Sequence, residues 1–129
     1  MRRILPFAAA LFSAALAGAA CAEEAESFYV ICDNGLRCVT LPCPSSSAFE
    51  LGTGRVLKGV SADIDGLSAE ERSRVEQTDA LFYGRLVLRG RIESRQTEIL
   101  GRQHTLSYLV ATAVEREATD DERRHCPIR

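Results

Sequence analysis

The segment Arg37-Cys38-Val39-Thr40-Leu41-Pro42-Cys43-Pro44 concentrates the residue types best able to do chemistry. Two thiols five positions apart, with prolines flanking the second, can close a covalent loop, exchange electrons or join a metal site. Catalytic disulfides use C-x-x-C at a helix N-terminus inside a βαβ pattern, and this segment has neither that spacing nor that context. Zinc could draw on Cys32, Cys38, Cys43, Cys126, His104 and His125, but no paired C-x2-C or C…H-x3-H spacing organises them. A structural bridge between Cys38 and Cys43 is the expectation.

Other constellations are weaker. Ser61-Ala62-Asp63-Ile64-Asp65-Gly66 opens like an EF-hand calcium loop, yet Arg72 stands where the bidentate Glu should be. An Asp-rich turn leading into a helix explains it better. No G-x-S-x-G occurs, His104 and His125 are the two histidines, and Ser45 to Ser47 is a polar loop. Gly52-Thr53-Gly54 is too short to cradle phosphate. Arg85, Arg89 and Arg91 share a strand face that could bind an anion, but a solvated face paired with acids accounts for them. The sequence therefore points away from an enzyme and implies no cofactor and no metal.

Whether the thiols oxidise depends on the start of the chain. Met1-Arg2-Arg3 is cationic, and the apolar run Ile4 to Leu16 has the length of an export signal's core, roughly 7–15 residues. A membrane span would need roughly 20. Ala20-Cys21-Ala22 fits a cleavage site, so residues 1–22 read as a signal peptide and 23–129 as a single small exported β-rich domain. That places the protein outside the cytoplasm, secreted or periplasmic, with no transmembrane segment in the processed chain. The alternative is a lipoprotein anchored through Cys21, which Ala19 and Ala20 suit and Gly18 does not.

Cleavage after Ala22 reduces five cysteines to four, Cys32, Cys38, Cys43 and Cys126. Four allow three connectivities, which sequence alone does not separate. The expected set joins Cys38 to Cys43 and ties Cys32, in the first strand, to Cys126 in the tail. The formal charge of −2 becomes −4 once Arg2 and Arg3 leave, since no acid leaves with them. Nucleic-acid affinity comes mostly from excess base, so no nucleic-acid partner is expected. An aromatic content of 6% without Trp implies an aliphatic core rather than a ring-lined cleft.

The elements that must hold the cysteines follow from periodicity. Phe28 to Cys32 alternates and reads as a first strand, Asp33-Asn34-Gly35 as a turn, and Leu36 to Leu41 as a return strand with the cysteine loop at its end. Phe49 to Leu51 and Val56 to Ile64 read as a hairpin, with Gly59 marking a bulge or close approach. Ser68-Ala69-Glu70-Glu71 is a capping box, predicting one helix to about Asp79 with a thin apolar stripe of Ala69, Val75 and Ala80. Leu81 to Glu93 and His104 to Arg116 read as paired strands, with Ser94 to Arg102 a loop or ragged hairpin end. Apolar residues on both faces of the last strand imply a central position or a barrel stave.

Taken together, Phe28 to Cys32, Arg37-Cys38 to Pro42-Cys43, the Val60 to Ser68 strand with its acidic turn, and the Leu-Val-x-x-Gly-Arg strand Leu86 to Arg91 resemble a family of exported bacterial domains of unknown function. The resemblance covers most of the processed chain and implies no activity. The fold expected is mainly β, with α+β the alternative: a small antiparallel barrel or sandwich carrying one short helix and stapled by disulfides. Two functions fit. One is a non-enzymatic cell-envelope or secreted binding or structural module, whose partner would be an envelope or extracellular protein. The other is a small secreted enzyme inhibitor presenting the 37–44 disulfide loop, with Arg37, Leu41, Pro42 and Pro44 as the interaction residues. An exposed Leu41-Pro42 tip favours the inhibitor, a buried one the module.

Overall fold

Six strands form one mixed sheet: β1 (Ser27–Asp33), β2 (Ser46–Glu50), β3 (Val56–Lys58), β4 (Val60–Asp63), β5 (Leu86–Ile99) and β6 (Arg102–Glu117). A single helix, α1 (Ala69–Gln77), precedes β5, and a short 3-10 helix (Asp121–Arg123) follows β6. This computed structural model describes residues 25–128, so the expectations for the 1–22 leader and for Cys21 lie outside it. The sheet order is β3-β2-β1-β5-β6-β4. All neighbours are antiparallel except β4 and β6, which run parallel.

One residue, Gly59, separates the two outermost strands in sequence. Its φ of 76° turns the chain from the β2 side of the sheet to the β6 side, a conformation glycine adopts without penalty. The sheet must curl so that both margins come within a residue of each other, although its hydrogen-bonded ladder does not close. With β3 and β4 counted as one bent stave, five staves and a helix between the third and fourth give the plan of a partly open Greek-key barrel, as in OB-folds. The mainly β class with one helix is thus the one observed. Four of the five pairings are antiparallel, as the mainly antiparallel expectation has it; the parallel β4–β6 pairing and the unclosed ladder are what it lacked, because alternation in β4 reports a half-buried strand but not its partner's direction.

The interior follows the period of two. Tyr29 and Ile31 of β1 join Ala48, Val60, Leu86, Leu88, Leu109 and Ala111 inside the curl, capped by Leu67, Val75 and Ala80 from the helical segment. Ala69, expected in the same stripe, is exposed. The opposite face of β1 carries Val30 and Cys32, fully buried with Val87 and Cys126 beneath the C-terminal tail. There Cys32 is bonded to Cys126, Cα–Cα 5.9 Å, and Cys38 is bonded to Cys43 across the loop, Cα–Cα 5.5 Å.

Three segments differ from expectation. Residues 34–45 form no strand, and the return strand is β2. Prolines at 42 and 44 supply no N–H for a ladder, and a bridge across five residues bends the chain back on itself. Leu81 to Arg85 is a series of turns rather than the start of β5. Asp79 and Gly84 adopt positive φ, and a Cβ on Gly84 would lie 2.7 Å from Cys126 Sγ. Conversely the β5–β6 ladder continues unbroken to Ile99 and Arg102, closed by Leu100 and Gly101, both at positive φ as in a type I′ turn.

The helix is locked by one side chain. Ser68 caps it, Glu71 N donating to Ser68 Oγ at 3.1 Å. The Glu71 carboxylate accepts from Ser68 N and, through Oε2, from Val114 N at 2.6 Å. Val114 follows a register shift in the β5–β6 ladder, where one residue is bulged out. Glu71 thus satisfies a strand N–H that the ladder leaves open, and this bond holds its carboxyl below the ordinary carboxylate value. A group depressed on folding contributes fully above its unfolded pKa of about 4.5 and loses that contribution as pH falls through the folded value. We expect Glu71→Ala to lower stability by about 2 kcal/mol at pH 7, from the lost cap and the unpaired N–H. Urea titrations of wild type and variant should converge as pH falls from 4.5 through the lowered folded-state value. A difference independent of pH would rule out this role.

Candidate binding face

The β1–β2 connection is anchored at its base and free at its tip. Asn34 N donates to Ser45 O at 2.8 Å, and Asn34 Nδ2 donates to Pro44 O at 2.9 Å and to Ser47 Oγ at 3.2 Å. Arg37, expected to be an interaction residue, turns back on Asp33, Nη1 to Oδ1 3.1 Å. At the tip Val39 is fully exposed and Leu41 is 64% exposed. Pro42 and Pro44 instead line a groove beneath the loop. Pro44 sits directly over the Gly59 turn, where an added Cβ would approach its Cβ to 2.9 Å.

That groove, about 970 Å³, is the open side of the curled sheet. One lip is Val56 and Lys58 of β3, the other Thr105, Leu106 and Ser107 of β6. His125 and Pro127 close one end, and Leu36 and Pro42 overhang from the cysteine loop. Its lining mixes aliphatic and hydroxyl side chains with one formal charge, Lys58. A second recess of about 470 Å³ lies on the other side of the same loop, lined by Ile31, Arg37, Leu81 and Phe82 among others. Leu36 and Cys43 border both.

His125 is the one imidazole at the groove. Its ring stacks on Phe49 at 5.3 Å, and Nε2 lies 3.2 Å from Cys32 Sγ. Burial pushes its pKa below that of a free imidazole, which favours the neutral ring. Among the described residues, Cys32, His125 and Cys126 form the group whose ligand atoms converge, all within 4.8 Å. The two sulfurs are bonded to each other there, so neither presents the thiolate a metal would take.

The remaining candidates resolve into structural bonds. Asp63 of the calcium-like turn accepts from Arg95 Nη2 at 2.7 Å, which holds its carboxyl below the usual range. Arg95 also lies over the Tyr108 ring, 4.6 Å from its centroid. Glu122 is pulled down to about 2 by Arg116. Arg89 pairs with Glu115 and Arg91 with Glu93, as expected of a solvated face paired with acids, whereas Arg85 precedes β5 and lies over the Tyr83 ring. The partners of these arginines are thus within the chain. Sequence reasoning missed the β3 and β6 lips and His125, because four separate chain segments meet at the groove; Gly59, flagged as a close approach, was the one signal of it.

A protein-family model described as a domain of unknown function, DUF6748, matches residues 5–112. No curated protein matches the chain, and no solved structure does.

Proposed function

The chain belongs to the DUF6748 family, a domain of unknown function, and from that premise we propose that it is an exported, non-enzymatic binding module of the cell envelope or secreted space, whose binding face is the groove beneath the 37–44 loop. The observation that carries this reading is the groove itself: an opening in a rigid sheet, covered by a disulfide-closed loop, with mixed apolar and hydroxyl lining. Two disulfides fit an oxidising compartment. No helix among the described residues is long and apolar enough to cross a membrane. The carboxylates held low, Glu50, Asp63, Glu71 and Glu122, each belong to an ion pair or a cap, which is the pattern of a scaffold rather than of acid–base chemistry. One cation in the groove is too few to neutralise a polyphosphate.

A photo-crosslinking residue at Leu41 or Val56, in protein made by its native cells, should give a discrete adduct with an envelope or extracellular protein. The same residue at Glu76, exposed on α1 and outside the groove lining, should give none. Adducts equal at all three positions, or absent from both Leu41 and Val56, overturn the reading. One observation favours the inhibitor as a second reading: the exposure of Val39 and Leu41 at a loop tip pre-organised by its bridge. In that case the adduct at Leu41 is a hydrolase, and Leu41→Asp releases its activity.

A further inference from the structure

We propose that the opening between β3 and β6 accepts an extended peptide, which adds a strand to the edge of β6 that β4 leaves and sets an acidic side chain against Lys58. The proposal rests on the binding-module reading and names its partner class.

Strand β4 covers β6 only from Ser107 to Val110. Upstream of Val60 the chain swings away at Gly59 to join β2, and residues 102–106 of β6 have no strand neighbour on that side among the described residues. The register says which backbone groups are exposed there. Ile99 and Arg102 flank a two-residue turn and so form a hydrogen-bonded pair, and pairs of that kind alternate along an antiparallel ladder. The N–H and C=O of Gln103 and Thr105 therefore point away from β5, toward the opening. On the opposite lip, Gly59 N donates to Ser46 O at 2.9 Å and Glu50 N to Arg55 O at 2.9 Å. These bonds fix the alternation of β3, so Val56 and Lys58 also direct their backbone groups outward.

Two further observations point to a peptide. Exposed edges are normally guarded with charge. The free edge of β5 obeys this with Arg91, Glu93, Arg95 and Glu98, whereas the β6 edge has Arg102 beside the turn and no Lys, Arg, Asp or Glu from Gln103 to Leu106. The side chains along the groove also suit a strand read at every second position: Val56, Leu106, Leu36 and Pro42 offer apolar contact. Lys58, exposed and without an ion pair to any described residue, supplies the one charge.

The probe is an acetylated, amidated octapeptide alternating valine and threonine with one central glutamate. Hydrogen exchange by NMR on the full processed chain should show at least tenfold slower exchange at Gln103 and Thr105 and no change along β5. Thr105→Pro, which removes an outward donor and the exposed Gln96 Nε2 to Thr105 Oγ1 bond but no β5–β6 backbone bond, should weaken binding at least tenfold, and Thr105→Val, which removes only that side-chain bond, should leave binding intact. Glu98→Pro, the equivalent cut on the outer edge of β5, should leave binding intact. Should Thr105→Pro fail to fold, Lys58→Glu serves: it should lose the glutamate peptide at least tenfold and regain affinity for the lysine analogue. Absence of protection up to millimolar peptide, or protection at both edges alike, overturns the proposal. So does protection already present without peptide, which assigns the edge to another copy if it rises with concentration and to the chain's own residues if it does not. Crosslinking at Leu41 and Val56 without protection at Gln103 and Thr105 would end strand addition and leave the module standing; loss of both ends both.

Discussion

Paired Cys32→Ala and Cys126→Ala substitutions should lower the thermal unfolding midpoint by roughly 15–30 °C, the shift expected of about 4 kcal/mol in a domain of this size. The bridge spans 94 residues, so in the chain-entropy picture it restricts nearly the whole unfolded ensemble. It also holds the tail down. Val30, Val87, Cys32 and Cys126 are buried on the outer face of β1 and β5, and that small second core depends on the tail lying over it. Cutting the link therefore acts on both sides of the folding equilibrium. The paired Cys38→Ala and Cys43→Ala variant is the contrast. Its loop is short, so the same relation gives about 2 kcal/mol. Differential scanning calorimetry of both pairs decides: equal losses, or a shift of only a few degrees for the long bridge, would show that the tail docks without it.

The second large effect is expected at Gly90. It faces Ala111 next to a register shift in the β5–β6 ladder. A Cβ there would overlap the Val110 carbonyl oxygen, lie 3.0 Å from its carbon and lie 3.1 Å from Ala111 Cα. These are backbone atoms of the neighbouring strand β6, which cannot rotate aside as a side chain would. Gly90→Ala should cost about 2–3 kcal/mol, an overpacking penalty, and should disturb amide shifts of Val110 and Ala111 before any others. Leu88→Ala, one pleat away and fully buried, loses about 2–5 kcal/mol by the opposite route, a cavity, and should leave the ladder shifts in place. A silent Gly90→Ala would mean that β5 and β6 do not approach as closely as the ladder requires.

Local pattern made some of this architecture legible. Period-two patterning located β1, a long apolar run located β6, and the Ser68 to Glu71 spacing located the helix start, because these signals arise from contacts a few residues apart. The failures share a different cause. Leu81 to Arg85 alternates like a strand, yet a close approach to Cys126, forty residues away, fixes Gly84 at a φ of 66° and turns the chain there. Ser94 to Arg102 is polar, yet it extends as a ribbon because each strand supplies the other's hydrogen bonds. The parallel pairing of β4 with β6 leaves no mark on either strand alone. Of the interaction residues, Leu41 stands exposed as an interaction loop requires, whereas Arg37 is engaged by Asp33 and Pro42 and Pro44 border the groove. Lys58 and Thr105 acquire a joint role only when the sheet curls.

A ribbon of strands usually has two independent rims, and damage can creep inward from either. Here both rims are one continuous stretch of backbone hinged at a single glycine. Loosening β3 from β2 pulls on β4, and freeing β4 slackens β3, so neither seam can open by itself. The molecule should breathe through that hinge as a unit, and whatever occupies the gap beside it would clasp β3 to β6.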